Sequence, residues 1–345
     1  MGPLDASKDH SRKHLVEAMR KHLHRGEWNE VAEQILKGDR SALSQAITWS
    51  ESTLPQHRHF TQRILEKILP HTGRSFRLGM TGVPGVGKST LIESLGQRWI
   101  RSGHRVAVLA IDPSSPITQG SILGDKTRME TLSMSPKAFI RPSASANELG
   151  GVAARTHEAI LLCEAAGFDK IIVETVGVGQ SETAVHHMTD CFLLLMLAGA
   201  GDQLQGIKRG IMEMCDIMAI TKADGNNTTQ ASHAQAEYQN ALHLFPERPD
   251  QWHPPVVTLS ALANQGVDDL MEELEKFESW SKARLWENRR QMQLTWQFEH
   301  EWIRQMKSHL HQSTTALELE RKILAHEISI SEAVAQLLQR VFSDR

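Results

Sequence analysis

At 345 residues the chain is about twice the ~150-residue length of one ordinary domain, which excludes a peptide or a bare binding motif. With 38 Lys+Arg against 41 Asp+Glu the formal charge is -3, so no basic excess points to nucleic acid, and 40% hydrophobic with 23% charged is common globular usage. The longest apolar run, Cys191 to Ala198, falls far short of the ~20 residues that a membrane span needs, and it reads as a buried strand. The first residues carry neither the hydrophobic stretch of a signal peptide nor the acid-poor character of a transit peptide, so a cytoplasmic location is expected. Cys163, Cys191 and Cys215 lie in apolar surroundings without C-x-x-C spacing, and are expected to be buried free thiols.

Residues 1–26 are rich in Lys, His and Arg with little apolar periodicity and read as a polar tail. Over 27–72, Val31, Ile35 and Leu36, then Leu43, Ala46 and Ile47, then Ile64, Leu65 and Ile68 recur at helical spacing, which predicts two or three short helices. Over 73–278, short apolar runs alternate with helical stretches: Arg77–Thr81, Val106–Ile111, Ala138–Ile140, Lys170–Val173, Cys191–Met196, Ile217–Ile220 and Val256–Leu259. Continuous apolar runs with helices between them are what a mainly parallel sheet covered by helices on both faces requires, so the core is α/β. Over 279–345 the texture becomes long helix with Trp280, Trp286, Trp296 and Trp302, and Ser331 is expected to cap a last helix. Leu294, Phe298 and Trp302 form one stripe, and Met292, Trp296, Ile303, Met306 and Leu310 a neighbouring face. So wide an apolar surface is either a helical cap on the core or a homodimer interface.

Gly82-Val83-Pro84-Gly85-Val86-Gly87-Lys88-Ser89 is a complete G-x-x-x-x-G-K-[ST] between a strand and an amphipathic helix that begins at Thr90. Its glycines let backbone N–H groups converge on phosphate oxygens at a helix N-terminus, Lys88 adds a point charge and Ser89 a Mg2+ ligand. The fold expected is therefore a P-loop NTPase with helical additions at both ends. Mg2+ also takes a carboxylate, and two strand-end acids are candidates, Asp112 and Glu174. The opposing reading for each is a solvated strand end. After Glu174, Gly177 would bring its N–H near a γ-phosphate and so control the loop from Val178 to Glu182.

Thr221-Lys222-Ala223-Asp224 closes another strand, in the pattern that places Asp224 against guanine N1–H and the 2-amino group with the Lys222 stem along the base. Ser260-Ala261-Leu262 at the next strand end would offer a backbone N–H to O6. Adenine cannot donate that pair of hydrogens, so Asp224 would be left unpaired beside ATP, and GTP is favoured. Thr221 stands where Asn is commoner, which predicts weaker bracing of the loop without loss of the base contact.

Together with Ile111-Asp-Pro-Ser-Ser-Pro116, the run Gly120 to Met129, Glu174 to Glu182 and Gln205-Gly-Ile-Lys-Arg-Gly210, these motifs resemble the MeaB/ArgK-type GTPases of the SIMIBI class. The resemblance runs from about Gly38 through the C-terminal helices. It implies a homodimeric GTPase that binds an adenosylcobalamin-dependent acyl-CoA mutase, gates cofactor loading and protects or reactivates the mutase. On that resemblance Lys88, Ser89, Asp112, Asp125 and Glu174 surround phosphate and Mg2+, with the first switch over 112–129 and the second over 177–182. A third, 205–210, carries Gln205 and Lys208, which with Lys88, Asp125 and Glu174 make the catalytic set, while Lys222, Asp224, Ser260 and Ala261 hold the guanine. GTP or GDP with Mg2+ is implied and no directly bound corrinoid; the partners are the mutase and a second copy through the C-terminal helices, with neither nucleic acid nor membrane.

The second switch has Val178 directly after its glycine where a Ras-like protein has Gln, and Gln180 comes later, so slow hydrolysis by the isolated protein is expected. Three other readings compete, one of them a scaffold that binds GTP without hydrolysing it. A nickel- or cobalt-delivery GTPase would use some of the 18 His, but His22/His24, His57/His59, His186/His187 and His309/His311 lack Cys support or an H-x3-H face and are expected on the surface. An ATP-dependent kinase would need an acceptor-side base with its own motif, and none is visible.

Overall fold

Seven runs form one parallel sheet: β1 (Phe76–Gly82), β2 (Val106–Ile111), β3 (Ala138–Ser143), β4 (Lys170–Thr175), β5 (Cys191–Leu197), β6 (Ile217–Thr221) and β7 (Val256–Thr258). All seven coincide with the expected strands to within a few residues at their ends. The computed structural model describes residues 27–111, 129–143, 149–175, 181–198, 209–311 and 314–343. The sheet order is β3-β2-β4-β1-β5-β6-β7. β4 and β5 therefore flank β1, with Met80 opposite Glu174 on one side and Gly82 opposite Leu195 on the other. Functional groups collect at the carboxyl ends of such a sheet, where the connections diverge to either side.

The helices in chain order are α1 (27–36), α2 (Arg40–Glu51), α3 (Pro55–Ile68), α4 (Lys88–Arg101), α5 (Glu130–Met134), α6 (Leu149–Ala165) and α7 (Ser181–His186). Then come α8 (Arg209–Met214), α9 (Thr228–His243), α10 (Val267–Arg284), α11 (Trp286–His311), α12 (Thr314–Leu324) and α13 (Ile330–Ser343). Phe76, Leu78 and Met80 of β1 share a core with Leu91, Leu95 and Trp99 of α4 and with Leu270, Leu274 and Phe277 of α10. The two helices that carry the phosphate loop and follow the base loop are thus seated on the same strands. α2, capped by Asp39 through a 2.7 Å bond from Ala42 N–H, packs with α3 on α6.

The amino ends of β5 and β6 are held by buried ions. Asp190 accepts from the Arg77 N–H and from Arg290, both at 2.9 Å, and Glu164 binds Arg77 at 2.9 Å. Asp216, wholly buried, accepts from the Phe192 N–H and Arg248 at 2.9 Å and from Arg289 at 3.0 Å. Burial alone would raise the Asp216 pKa, but Arg289 and Arg248 outweigh it and hold the carboxyl below its usual range. The first turn of α11 is thereby bonded to the base of the sheet.

Two compact units divide between Gln291 and Met292. In the second, α12 packs on α13, and Met292, Leu294, Phe298, Trp302 and Ile303 of α11 are exposed, Phe298 by 72%. Trp280 belongs to α10, its ring tilted against those of Trp252 and Phe277 in the first unit. The cap of α13 is Ser329, whose hydroxyl accepts from Glu332 N–H at 3.2 Å, and not Ser331: the helix begins earlier than the apolar pattern alone indicates.

Candidate functional site

Between β1 and α4 the chain turns on glycine. Gly82 sits at φ +155°, and a Cβ there would lie 2.7 Å from the Leu195 carbonyl, so no other residue lets β1 end this close to β5. The turn closes with Val86 N–H on the Val83 carbonyl at 3.2 Å, and the Val86 side chain is buried. Pro84 and Gly85 are exposed, Gly87 caps α4 in the left-handed region, and Ser89 and Thr90 follow in its first turn.

Lys88 is only 8% exposed. Its Nζ donates to the Gly82 carbonyl at 2.7 Å and to that of Val83 at 3.4 Å. Desolvation lowers its pKa, and the carboxylates of Glu174 and Glu182 oppose that shift. Glu174 is buried where β4 ends, opposite Met80 of β1 and Ala110 of β2, which overturns its reading as a solvated strand end. Next to it Thr175 and Thr81 join hydroxyl to hydroxyl at 2.8 Å. The Ser89 hydroxyl and the Glu174 carboxylate are hard oxygen donors of the kind that Mg2+ takes. Asp112, Asp125, Gly177, Gln205 and Lys208 lie outside the described residues.

At the end of β6, Thr221 is buried with its hydroxyl 2.7 Å from the Val86 carbonyl and 3.1 Å from that of Met196. The hydroxyl joins the phosphate loop to β5. Lys222 takes φ +57°, its carbonyl accepting from Asn227 Nδ2 at 2.7 Å, and Ala223 N–H donates to Leu259 at 3.0 Å. Asp224 is partly buried, and its carboxylate has no hydrogen-bond or ionic partner among the described residues. Beyond β7, Ser260 and Gln265 exchange backbone hydrogen bonds at 2.9 and 3.0 Å, and the Ser260 hydroxyl accepts from Ala263 N–H. That closes a turn with Ala261 and Leu262 at its tip. Leu262 is 85% exposed.

Two residues escaped the sequence reading. Glu182 was seen only as the end of a loop, yet it is buried on α7 and acts on Lys88; no motif reports a contact made across the sheet. His186 was expected on the surface, but its Nδ1 is buried without a hydrogen-bond partner among the described residues and its ring packs on Phe192. Desolvation pushes it down to about 4. The three cysteines are buried and free as expected, and burial raises Cys215 to about 12, which leaves a protonated, unreactive thiol. No helix among the described residues is long and apolar enough to cross a membrane.

A glycine-rich turn from a central parallel strand into a helix, a buried lysine at its end and an acidic loop two strands away define a P-loop nucleoside triphosphatase. Residues 43–316 match the family described as methylmalonyl-CoA mutase-associated GTPase MeaB, so the chain belongs to the MeaB family and is a GTPase that binds guanine nucleotide. It is 48% identical to GTPase ArgK of Escherichia coli over 77% of this chain and 81% of that one. It is 41% identical to the mouse mitochondrial methylmalonic aciduria type A homolog over 90% of this chain and 78% of that one. Among solved structures, one described as LAO/AO transport system kinase superposes with a TM-score of 0.74 at 36% identity, over 91% of this chain and 97% of that one.

Proposed function

We propose that this GTPase is a homodimeric chaperone of an adenosylcobalamin-dependent acyl-CoA mutase, gating cofactor loading and protecting or reactivating the enzyme. The family's description and the names of its relatives support a mutase client. The observation that carries the switching part of this reading is the pair of carboxylates acting on Lys88. Glu174 lies near the end of β4 and Glu182 in the first turn of α7, so the two carboxylates that oppose the lowering of the Lys88 pKa bracket the second switch. A change at the γ-phosphate is then felt at both ends, which is how a nucleotide orders or releases a loop.

In this assignment 73–278 is the GTPase core, 27–72 its helical N-terminal segment, and 279–345 the dimerisation region through the exposed stripe of α11. Backbone N–H groups within 82–90, Pro84 excepted, and of Gly177 cradle the phosphates. Ser89, Asp112, Asp125 and Glu174 would hold Mg2+, which would neutralise charge on the phosphate oxygens. Lys88 holds the phosphates from the other side. Asp224, whose acceptors are unused by the described residues, takes guanine N1–H and the 2-amino group, with Lys222 along the base and the backbone at Ala261 and Leu262 facing O6. Thr221 keeps the two halves in register. Gln205 and Lys208 complete the catalytic set when the client is bound.

Turnover measured with and without a methylmalonyl-CoA mutase tests this. A slow basal rate that rises severalfold with the mutase, and a Lys208→Ala protein that no longer responds, are expected. A fast rate indifferent to the mutase would refute the chaperone reading, and an unimpaired Lys208→Ala response would remove Lys208 from the catalytic set.

A further inference from the structure

We propose that Arg98 is a positioning residue for guanine recognition, clamping the O6-facing loop to the helix that carries the phosphate loop. This rests on the assignment of Ala261 and Leu262 to the base.

Arg98 lies in the last turn of α4, and each of its three guanidinium nitrogens has a partner. Nη2 donates to Asn264 Oδ1 at 2.8 Å, Nε to Asp268 Oδ1 at 2.6 Å, and Nη1 to the Ser94 hydroxyl at 2.7 Å. The planar fork reaches α4, the turn after β7 and the first turn of α10 at once, which a single-point ammonium cannot do. Its side chain is 12% exposed although that of Asp268 is 81% exposed. An ion pair so open to water on one side adds little stability by itself, so the consequence of the clamp lies in geometry.

The clamped turn is tightly specified at its other points. Asn264 takes φ +58° and Gly266 φ +66°, and a Cβ on Gly266 would lie 2.2 Å from the Thr258 carbonyl. The Ser260–Gln265 exchange closes its neck, and Leu259 N–H on Ile220 at 2.8 Å ties that neck to β6. The outer corner, where Asn264 sits, has its side-chain anchor on Arg98. Ala261 and Leu262 lie between neck and corner, so freeing the corner loosens the segment that faces O6. Asp224, held on the β6 side, is left in place.

Calorimetric titration of the full chain, with Mg2+, against GDP, IDP, ADP and 2-aminopurine riboside diphosphate tests this. Arg98→Ala and Asn264→Gly, the latter keeping the positive φ, are expected to weaken GDP and IDP, which both carry O6, by roughly three- to tenfold, the worth of one hydrogen bond. The 2-aminopurine nucleotide lacks O6 and should bind as before, and Arg98→Lys should fall between. Loss of equal size for all four nucleotides would overturn the proposal in favour of a general packing role, as would no loss at all. Asn264→Gly carries the test if Arg98→Ala melts early. Should the unaltered protein bind ADP as tightly as GDP, the guanine reading itself fails; if it prefers GDP while the variants keep that preference, only the role of Arg98 falls.

Discussion

Acid should destabilise this protein before the carboxyls of Asp216 and Glu164 titrate, because two part-buried histidines are held neutral in it. His157 is pushed down to about 3, first by burial and then by Arg77 and Arg290, with Glu164 opposing. His186 is pushed down to about 4 by burial, with Arg289, His187 and Arg248 acting in the same direction and Asp216 opposing. For a base whose folded pKa lies below its unfolded one, the unfolded chain binds the extra proton as pH falls, so stability declines from about pH 6.5 downward until the folded value is reached. At pH 5.0 both folded values are still below the solution pH, and the loss depends on the unfolded value near 6.5 alone: about 2 kcal/mol for each ring, about 4 kcal/mol together. The lowered carboxyls of Asp216 and Glu164 contribute stability above their unfolded value near 4 and lose it only as pH falls further, and Asp190, raised by burial, acts in the opposite sense. Urea unfolding at pH 7.5 and 5.0 should show the difference, and His157→Gln and His186→Gln should each remove about 2 kcal/mol of it. Variants with the same pH dependence as the unaltered protein would refute the reasoning.

Two further perturbations follow from buried groups. Asp216→Ala leaves Arg248 and Arg289 without their shared carboxylate and should destabilise by about 3–5 kcal/mol in the same urea assay at pH 7.5; under ~1 kcal/mol would show that the guanidinium groups find other partners. Thr221→Val removes the hydroxyl between the Val86 and Met196 carbonyls and should weaken GDP and inorganic pyrophosphate alike by roughly three- to tenfold, because it loosens the loop that both share; unchanged pyrophosphate binding would refute the bracing role.

The five inner strands were legible because each is buried along nearly its whole length, so its sequence is a mostly apolar run, and the partly buried edge strands β3 and β7 were legible from shorter runs. The phosphate loop was legible for a local reason too: glycines, lysine and serine must follow one another within a single turn, and their spacing survives in one dimension. The candidate loop of Thr221 to Asp224 and the turn at Ser260 were readable as strand ends in the same way. What the sequence by itself determined was therefore the set of elements and the local chemistry each carries.

Tertiary structure decided which of those elements meet. Placing β4 beside β1 puts Glu174 and then Glu182 within electrostatic range of Lys88, and seating α4 beside α10 brings Arg98 to Asn264 across a long stretch of chain. The same packing buries Nδ1 of His186, which a count of scattered histidines places on the surface, and turns Thr221 into a brace between the phosphate loop and β5. Hydrophobic periodicity reports only whether a residue faces water or protein. The partner it meets there is fixed by strand order, and strand order is settled by how all the helices share one sheet.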